Sequence, residues 1–421
     1  MAKWLESLEP ERAHGRRVAA WAWILAARAK LDAPSVAVLE QAARIHHEPG
    51  TAWSGAAAGR LLCEVREDPA GLKSAAAART DTSEALAAAL RHVCANAPRR
   101  GVPVLRLLRI LEAAHVFDEC LEALPYESRG LPELLEEAAA LDAGREWARL
   151  LDVFRKPARF EDRKLDAALK RLSVNPQVVV ETSRVVLDPN TEVSDLERLA
   201  GQDPALAAGL LQAANSARYG VRHPLSTLRQ AILHLGLDES RRVLTAAALR
   251  GAFRAPCARS LWLHSLDTAA MASAIAQEAA GLDPREAFLA GLMHDLGRLL
   301  LLASPDVSMP AYSELTARGC PPVAVELALC GEDHAAIGAR ALERWGIAGQ
   351  VVEAVRAHHR PRPDTSPLSA AVQVAEELGA GEEDLPSLPR FRDSLRALGL
   401  AAARLPEHCP ATGLTALREE P

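Results

Sequence analysis

Residues 283–302 read DPREAFLAGLMHDLGRLLLL, and the fold class follows from how that stretch is built. Asp283 before Pro284 is a helix start. An acid at the N-cap accepts exposed backbone N–H groups, and proline suits the first helical position, whose N–H has no partner within the helix. Glu286, three residues after Asp283, adds a second helix-start signal. Beyond Glu286 the stretch is apolar except for His294, Asp295 and Arg298. A polar group inside an apolar segment needs a hydrogen-bonding partner or an ion once it is buried. His294 and Asp295 are therefore the first candidates for chemistry.

The same punctuation recurs outward from there. Asp203-Pro204 and Ser366-Pro367 mark further helix starts, and Ser194 with Glu197 three residues on reads as a capping box. His14, Val18, Trp21 and Leu25 fall on one helical stripe, and Leu131 to Phe154 continues in the same style. The run Val178 to Val186 is the best strand candidate, though an apolar run of that length also suits a buried helix. Aromatic residues make up only 4% of the 421 residues, and alanine and leucine dominate, which favours helices over strands. The expectation is an all-α protein without a sheet of consequence.

Length and composition bound the rest. The chain is comfortable for two domains, and its apolar and charged fractions of 49% and 25% exclude wholesale disorder. A polar, charged stretch around Lys156 to Arg163, interrupted by Pro157, marks the boundary. The expected division is 1–155, a linker 156–164, a second domain 165–390 and a tail 391–421. A net charge of −6 argues against a protein that coats nucleic acid. No two of the seven cysteines stand at C-x-x-C spacing, which suits reduced thiols rather than a zinc ribbon. The start, MAKWLESLEPER, lacks the apolar core of a signal peptide, and the run from Val18 to Ala27 is too short to span a bilayer. A soluble, cytoplasmic protein with no membrane partner is expected.

Five histidines fall between residues 260 and 380, at His264, His294, His334, His358 and His359, each on a separate expected helix or helix end. Neutral imidazole and carboxylate are the usual ligands of zinc, iron or manganese, and such a centre can activate water against a phosphoester. A hydrogen-bonded core would satisfy the same side chains.

Three segments in order carry a resemblance. LWLHSLDTAAMASAIA (261–276), AFLAGLMHDLGRLLLL (287–302) and VELALCGEDHAAIGARALERWGIAGQVVEAVRAHHRP (325–361) closely resemble the HDOD domain, a relative of the HD phosphohydrolase superfamily. QDPALAAGLLQAANSARYG (202–220) and LSTLRQAILHLGLDESRRVL (225–244) match upstream, with Asp203-Pro204, Asn215-Ser216-Ala217 and Tyr219 at the family's positions. The resemblance covers about residues 165–385. It implies an all-helical fold, a bacterial signalling or regulatory role, and no catalytic residues, the family being regarded as non-hydrolytic. Carried over residue by residue, the metal ligands would be His264, His294, Asp295, His334, His358 and His359. The last ligand of the superfamily is normally the Asp of an Ala-Asp pair, and VQVAEELGA (372–380) puts Glu376 there. Arg298 stands where many hydrolases have lysine. Both departures count against turnover.

The first 155 residues resemble a shortened HD-GYP domain, a class that hydrolyses cyclic di-GMP. ERAHGRRVAAWAWILAARAKLDAPSVAVLEQAARIHHEPG (11–50) would place His14 at the first-ligand position and His46-His47 where His-Asp stands. VPVLRLLRILEAAHVFDECLEALPYES (102–128) would place His115 at the aspartate of Ala-Asp. An alternative alignment matches His46-His47-Glu48 to a later motif. The Gly-Tyr-Pro signature is absent, so this half is expected to be inert and to serve as a surface for a partner or for dimerisation. The whole reads as two HD-superfamily-like bundles forming a regulator with an unidentified protein signalling partner and no nucleic acid. A divalent transition metal (Fe, Mn or Zn) is the one cofactor the second half suggests. The rival reading is a metal-dependent phosphohydrolase acting on a cyclic dinucleotide or nucleotide.

Overall fold

A computed structural model of the chain describes residues 10–45, 104–123, 160–254, 258–304, 309–317, 322–359, 365–380 and 389–406, with single positions between them. Every regular element among the described residues is a helix. In chain order they are α1 (Pro10–Arg28), α2 (Ala33–Ile45), α3 (Val104–Ala123), α4 (Asp162–Arg171), α5 (Pro176–Leu187) and α6 (Val193–Gln202). Then come α7 (Pro204–Ala214), α8 (Leu228–Leu235), α9 (Leu237–Arg250), α10 (Arg259–Glu278), α11 (Pro284–Met293) and α12 (Leu296–Ala303). The remainder are α13 (Met309–Ala317), α14 (Pro322–Cys330), α15 (His334–Trp345), α16 (Gly349–Ala357), α17 (Pro367–Ala380) and α18 (Pro389–Leu398). None of these helices is long and apolar enough to cross a membrane.

The chain forms two compact units, Met1–Arg159 with Val307–Glu332, and Phe160–Asp306 with Asp333–Pro421. The second unit is thus interrupted, and α13 and α14 belong to the first. Their side chains show why: Leu315, Val325 and Leu327 are buried in one apolar cluster with Trp21, Leu25, Leu39, Leu111 and Phe117. Of the stripe expected on α1, Val18, Trp21 and Leu25 are almost fully buried, and the side chain of His14 lies outside the described residues. Trp21 meets Phe117 edge to face, ring centroids 5.0 Å apart, the arrangement that aromatic quadrupoles favour. His46 and His47, and nearly all of Leu131–Phe154, lie outside the described residues.

Asp118 of α3 is one of the charged groups buried in this first unit, only 1% exposed. Arg17 Nε and Nη2 donate to its two oxygens at 3.0 and 2.9 Å, and Trp21 Nε1 donates to Oδ1 at 2.8 Å. A buried carboxylate is tolerated when such charge-assisted bonds replace its water. These bonds also tie α3 to α1.

In the second unit the proline-marked starts are built as expected. Asp203 Oδ1 accepts from Ala205 N at 2.8 Å, Asp283 Oδ1 from Arg285 N at 2.8 Å, and Ser366 Oγ from Ser369 N at 3.1 Å. Two expectations need correcting. The strand candidate 178–186 is helical, within α5, because Asn175 caps it, Pro176 starts it, and Val179, Thr182, Ser183 and Val186 form a buried stripe at helical spacing. Tertiary burial overrides the strand preference of β-branched residues. The capping box lies two residues earlier than Ser194 and Glu197: α6 has Glu192 at its N-cap, and Asp195 Oδ2 accepts from Glu192 N at 3.0 Å. Asn215 at the end of α7 has a structural task. Its amide accepts from Leu225 N at 2.7 Å and donates to Leu225 O at 2.9 Å, closing the loop between α7 and α8.

Asp118→Ala leaves Arg17 without its buried counter-charge and is expected to destabilise the first unit by about 3–5 kcal/mol. Thermal unfolding followed by circular dichroism checks this, against Trp21→Phe, which loses one hydrogen bond and should cost only about 1–2 kcal/mol.

Candidate metal centre

All seven residues singled out by the sequence belong to the second unit, and most stand at helix ends. His294 is the C-cap of α11 and Asp295 the N-cap of α12, so the break between the two helices falls on the His-Asp pair. His334 is the first residue of α15, where Asp333 Oδ1 caps the helix by accepting from Ala336 N at 2.8 Å. His358 is the C-cap of α16 and His359 comes directly after it. His264 and Glu376 project from within α10 and α17.

Helix ends have a specific use here. The last carbonyls of a helix have no backbone partner, and two histidines take them. His294 Nδ1 lies 2.7 Å from Gly291 O, and His358 Nδ1 lies 2.6 Å from Val355 O. A carbonyl only accepts, so both imidazoles carry their proton on Nδ1 and turn an Nε2 lone pair inward. This is the arrangement by which proteins orient metal-binding histidines.

The inward atoms crowd together. His264 Nε2 lies 3.1 Å from His294 Nε2, and His334 Nε2 lies 3.3 Å from His358 Nε2 and 2.9 Å from His359 Nε2. Asp295 spans the two sides. Its Oδ1 is 3.1 Å from His334 Nε2, and its Oδ2 is 3.5 Å from His294 Nε2 and 3.8 Å from His264 Nε2. Glu376 Oε2 stands 3.7 Å from His359 Nδ1. Metal–nitrogen bonds of about 2.1 Å give ligand–ligand edges of roughly 3.0 Å at right angles and roughly 3.4 Å in a tetrahedron. Three overlapping groups have ligand atoms mutually within 4.8 Å: His334, His358 and His359; His264, His294 and Glu376; and His294, Asp295 and His358. The donor set fits a divalent transition metal, held by the first or second of these groups with Asp295 between them.

Burial sets the charges. It holds His294 down to about 4 and keeps His264, His358 and His359 below the ordinary imidazole value, so these rings are neutral near pH 7. Burial pushes Asp295 up, but His294, Arg298 and His334 outweigh it and hold the carboxyl well below its usual range. Glu376 goes the other way, raised to about 7 by burial and by the Asp295 carboxylate. Arg298 places Nη1 2.8 Å from Asp295 Oδ2 as a built-in cation.

The backbone at this centre is too close for side chains. A Cβ on Gly297 would lie 1.9 Å from His334 O, and one on Gly338 would lie 3.0 Å from Gly297 N. Glycine at both positions lets α12 and α15 touch, which brings His334 to Asp295. In the first unit, His115 is buried, and the described residues there contain no comparable ligand group.

Residues 172–361 match the HDOD domain family. The chain is 26% identical over 189 residues to an uncharacterized protein of Treponema pallidum, covering 44% of this chain and 37% of that protein. It is 28% identical over 126 residues to ribonuclease Y of Oleidesulfovibrio alaskensis, covering 30% of this chain and 19% of the ribonuclease. The chain thus spans well under half the length of either relative. A crystal structure of an HDOD domain protein of unknown function from Geobacter sulfurreducens is similar at 24% identity and a TM-score of 0.48, covering 56% of this chain and 89% of that one.

Gly297→Ala is expected to force α12 from α15 at a cost of roughly 2–3 kcal/mol or more, as overpacking of a closed contact does. Denaturant unfolding measures it, and Gly379→Ala, with open space around the added methyl, should be close to neutral.

Proposed function

We propose that the chain is a non-catalytic regulatory protein of bacterial signalling that acts through contacts with a protein partner. In this reading the histidine centre binds a divalent transition metal, iron, manganese or zinc, as a structural or sensing element. The HDOD match over 172–361 supports the regulatory role, and the inward Nε2 atoms of His294 and His358 support the metal. When bound, such a metal would supply a Lewis acid and a water of lowered pKa.

The observation that carries the non-catalytic reading is Arg298 on Asp295. Its guanidinium occupies Oδ2, the oxygen that faces His264 and His294. A fixed cation there offsets the carboxylate charge that a second dication would need. Glu376, raised to about 7 by burial and by the Asp295 carboxylate, is only partly ionised near neutral pH. The residues left hold and orient: His294 and His358 through their carbonyl bonds, and Asp295 by spanning both histidine groups. The first unit is read as a shortened HD-GYP-like bundle offering a surface to the partner or to a second copy. In support, the carboxylate of Asp118 is taken up by Arg17 and Trp21. The acidic balance of the chain speaks against nucleic acid as partner.

A second reading, a metal-dependent phosphohydrolase acting on a cyclic dinucleotide or nucleotide, is favoured by the convergence of all five histidines with two carboxylates. Elemental mass spectrometry on protein purified without a metal-affinity tag, beside His294→Ala, tests the metal. About one transition-metal ion per chain, lost in the variant, is expected, and no metal in either sample contradicts it. Hydrolysis of cyclic dinucleotides with added manganese or iron should stay at background. Turnover that disappears in His294→Ala and Asp295→Ala would favour the phosphohydrolase.

A further inference from the structure

A second site lies in the same unit, at the opposite ends of the two helices that carry His264 and His294. A cavity of about 550 Å³ is lined by Val186 of α5, Arg241, Arg242 and Thr245 of α9, Ser273 and Gln277 of α10, and the α10–α11 turn with Arg285 and Phe288 of α11. Ser273 stands nine residues beyond His264 on α10 and Arg285 nine residues before His294 on α11, on the order of 13 Å along each helix. None of the seven residues of the histidine centre lines this cavity.

Its wall presents donors. Arg241 and Ser273 are 7% and 2% exposed, and Arg241 Nε and Ser273 Oγ have no hydrogen-bond partner in the protein. Buried polar atoms are almost always paired, and these two, on residues that line the cavity, have no partner within the chain. Of the two lining acids, Asp283 does not compete for that role. Asp283 accepts from Arg285 N and Nε through Oδ1 and from Arg285 Nη2 through Oδ2, so both oxygens are engaged. Asp238 pairs with Arg241 Nη1 at 3.2 Å and is 79% exposed at the mouth, where water screens it. Arg242, in contact with Glu239 through Nη1 alone at 3.2 Å, adds a second guanidinium, and Gln277 adds an amide. Phe288, Leu282, Val186 and Pro284 supply an apolar wall. Guanidinium groups with a hydroxyl suit a phosphate dianion, and the volume falls within the range of small-molecule pockets, about 300–1,000 Å³.

We propose that this cavity binds a small phosphate monoester with a planar organic body, its phosphate on Arg241, Arg242 and Ser273 and its body against Phe288. The proposal goes beyond the regulatory reading and is independent of the metal. The probes are AMP and p-nitrophenyl phosphate, with adenosine and inorganic phosphate as the two halves of the ligand, titrated calorimetrically into the full chain with a chelator present. Saturable binding of at least one monoester is expected, with adenosine and inorganic phosphate each weaker by tenfold or more. Ser273→Ala and Arg242→Gln, both checked for native melting, should each weaken that monoester fivefold or more. Arg241 is left intact because its Nη2 also reaches the Asp188 and Thr191 carbonyls; Ser273→Ala, the smaller change, decides the matter if Arg242→Gln melts early. No saturable binding of either monoester, adenosine binding as tightly as AMP, or a monoester affinity unmoved by the substitutions would each overturn the proposal.

Discussion

The second unit is organised around one buried charge. Asp295 has no exposed surface, and an ionised carboxylate withdrawn from water costs several kcal/mol unless its surroundings replace the lost hydration. The compensation comes from Arg298 one turn away on α12 and from His334 at the start of α15. Much of the local architecture serves that convergence: the break between α11 and α12, the capped start of α15, and the close glycine contact between α12 and α15.

The same arrangement accounts for the histidines. An imidazole at a helix C-terminus finds a free carbonyl for Nδ1, so His294 and His358 are oriented by the ends of their own helices rather than by dedicated partners. Their Nε2 atoms then face Asp295 and the remaining rings at distances that suit ligands of one or two ions. Arg298 inside this set places a permanent cation against Asp295 Oδ2.

The helical class, the proline-marked helix starts and the seven centre residues were legible in the sequence, since capping chemistry and histidine placement are local signals. Other features depend on what meets what in space. The valine-rich segment 178–186 looks extended until its buried stripe is known, and the capping box at 192–195 was hidden by a plausible Ser–Glu pair two residues later. Residues 309–330 pack with a different unit from their sequence neighbours, which no composition shift announces. The roles of Arg298, of Asp118 with Arg17 and Trp21, and of the donor-lined cavity around Ser273 arise from contacts between distant residues. A charged side chain near an apolar run gives no sign of which partner it will meet.

The histidine centre presents neutral, oriented lone pairs to its interior. Nitrogen-15 NMR of histidine-labelled, chelator-treated full chain near neutral pH reads this directly, with His294→Gln and His358→Gln variants assigning the signals. Both rings should be neutral with the proton on Nδ1. A proton on Nε2 of either ring, or an imidazolium at neutral pH, would contradict it.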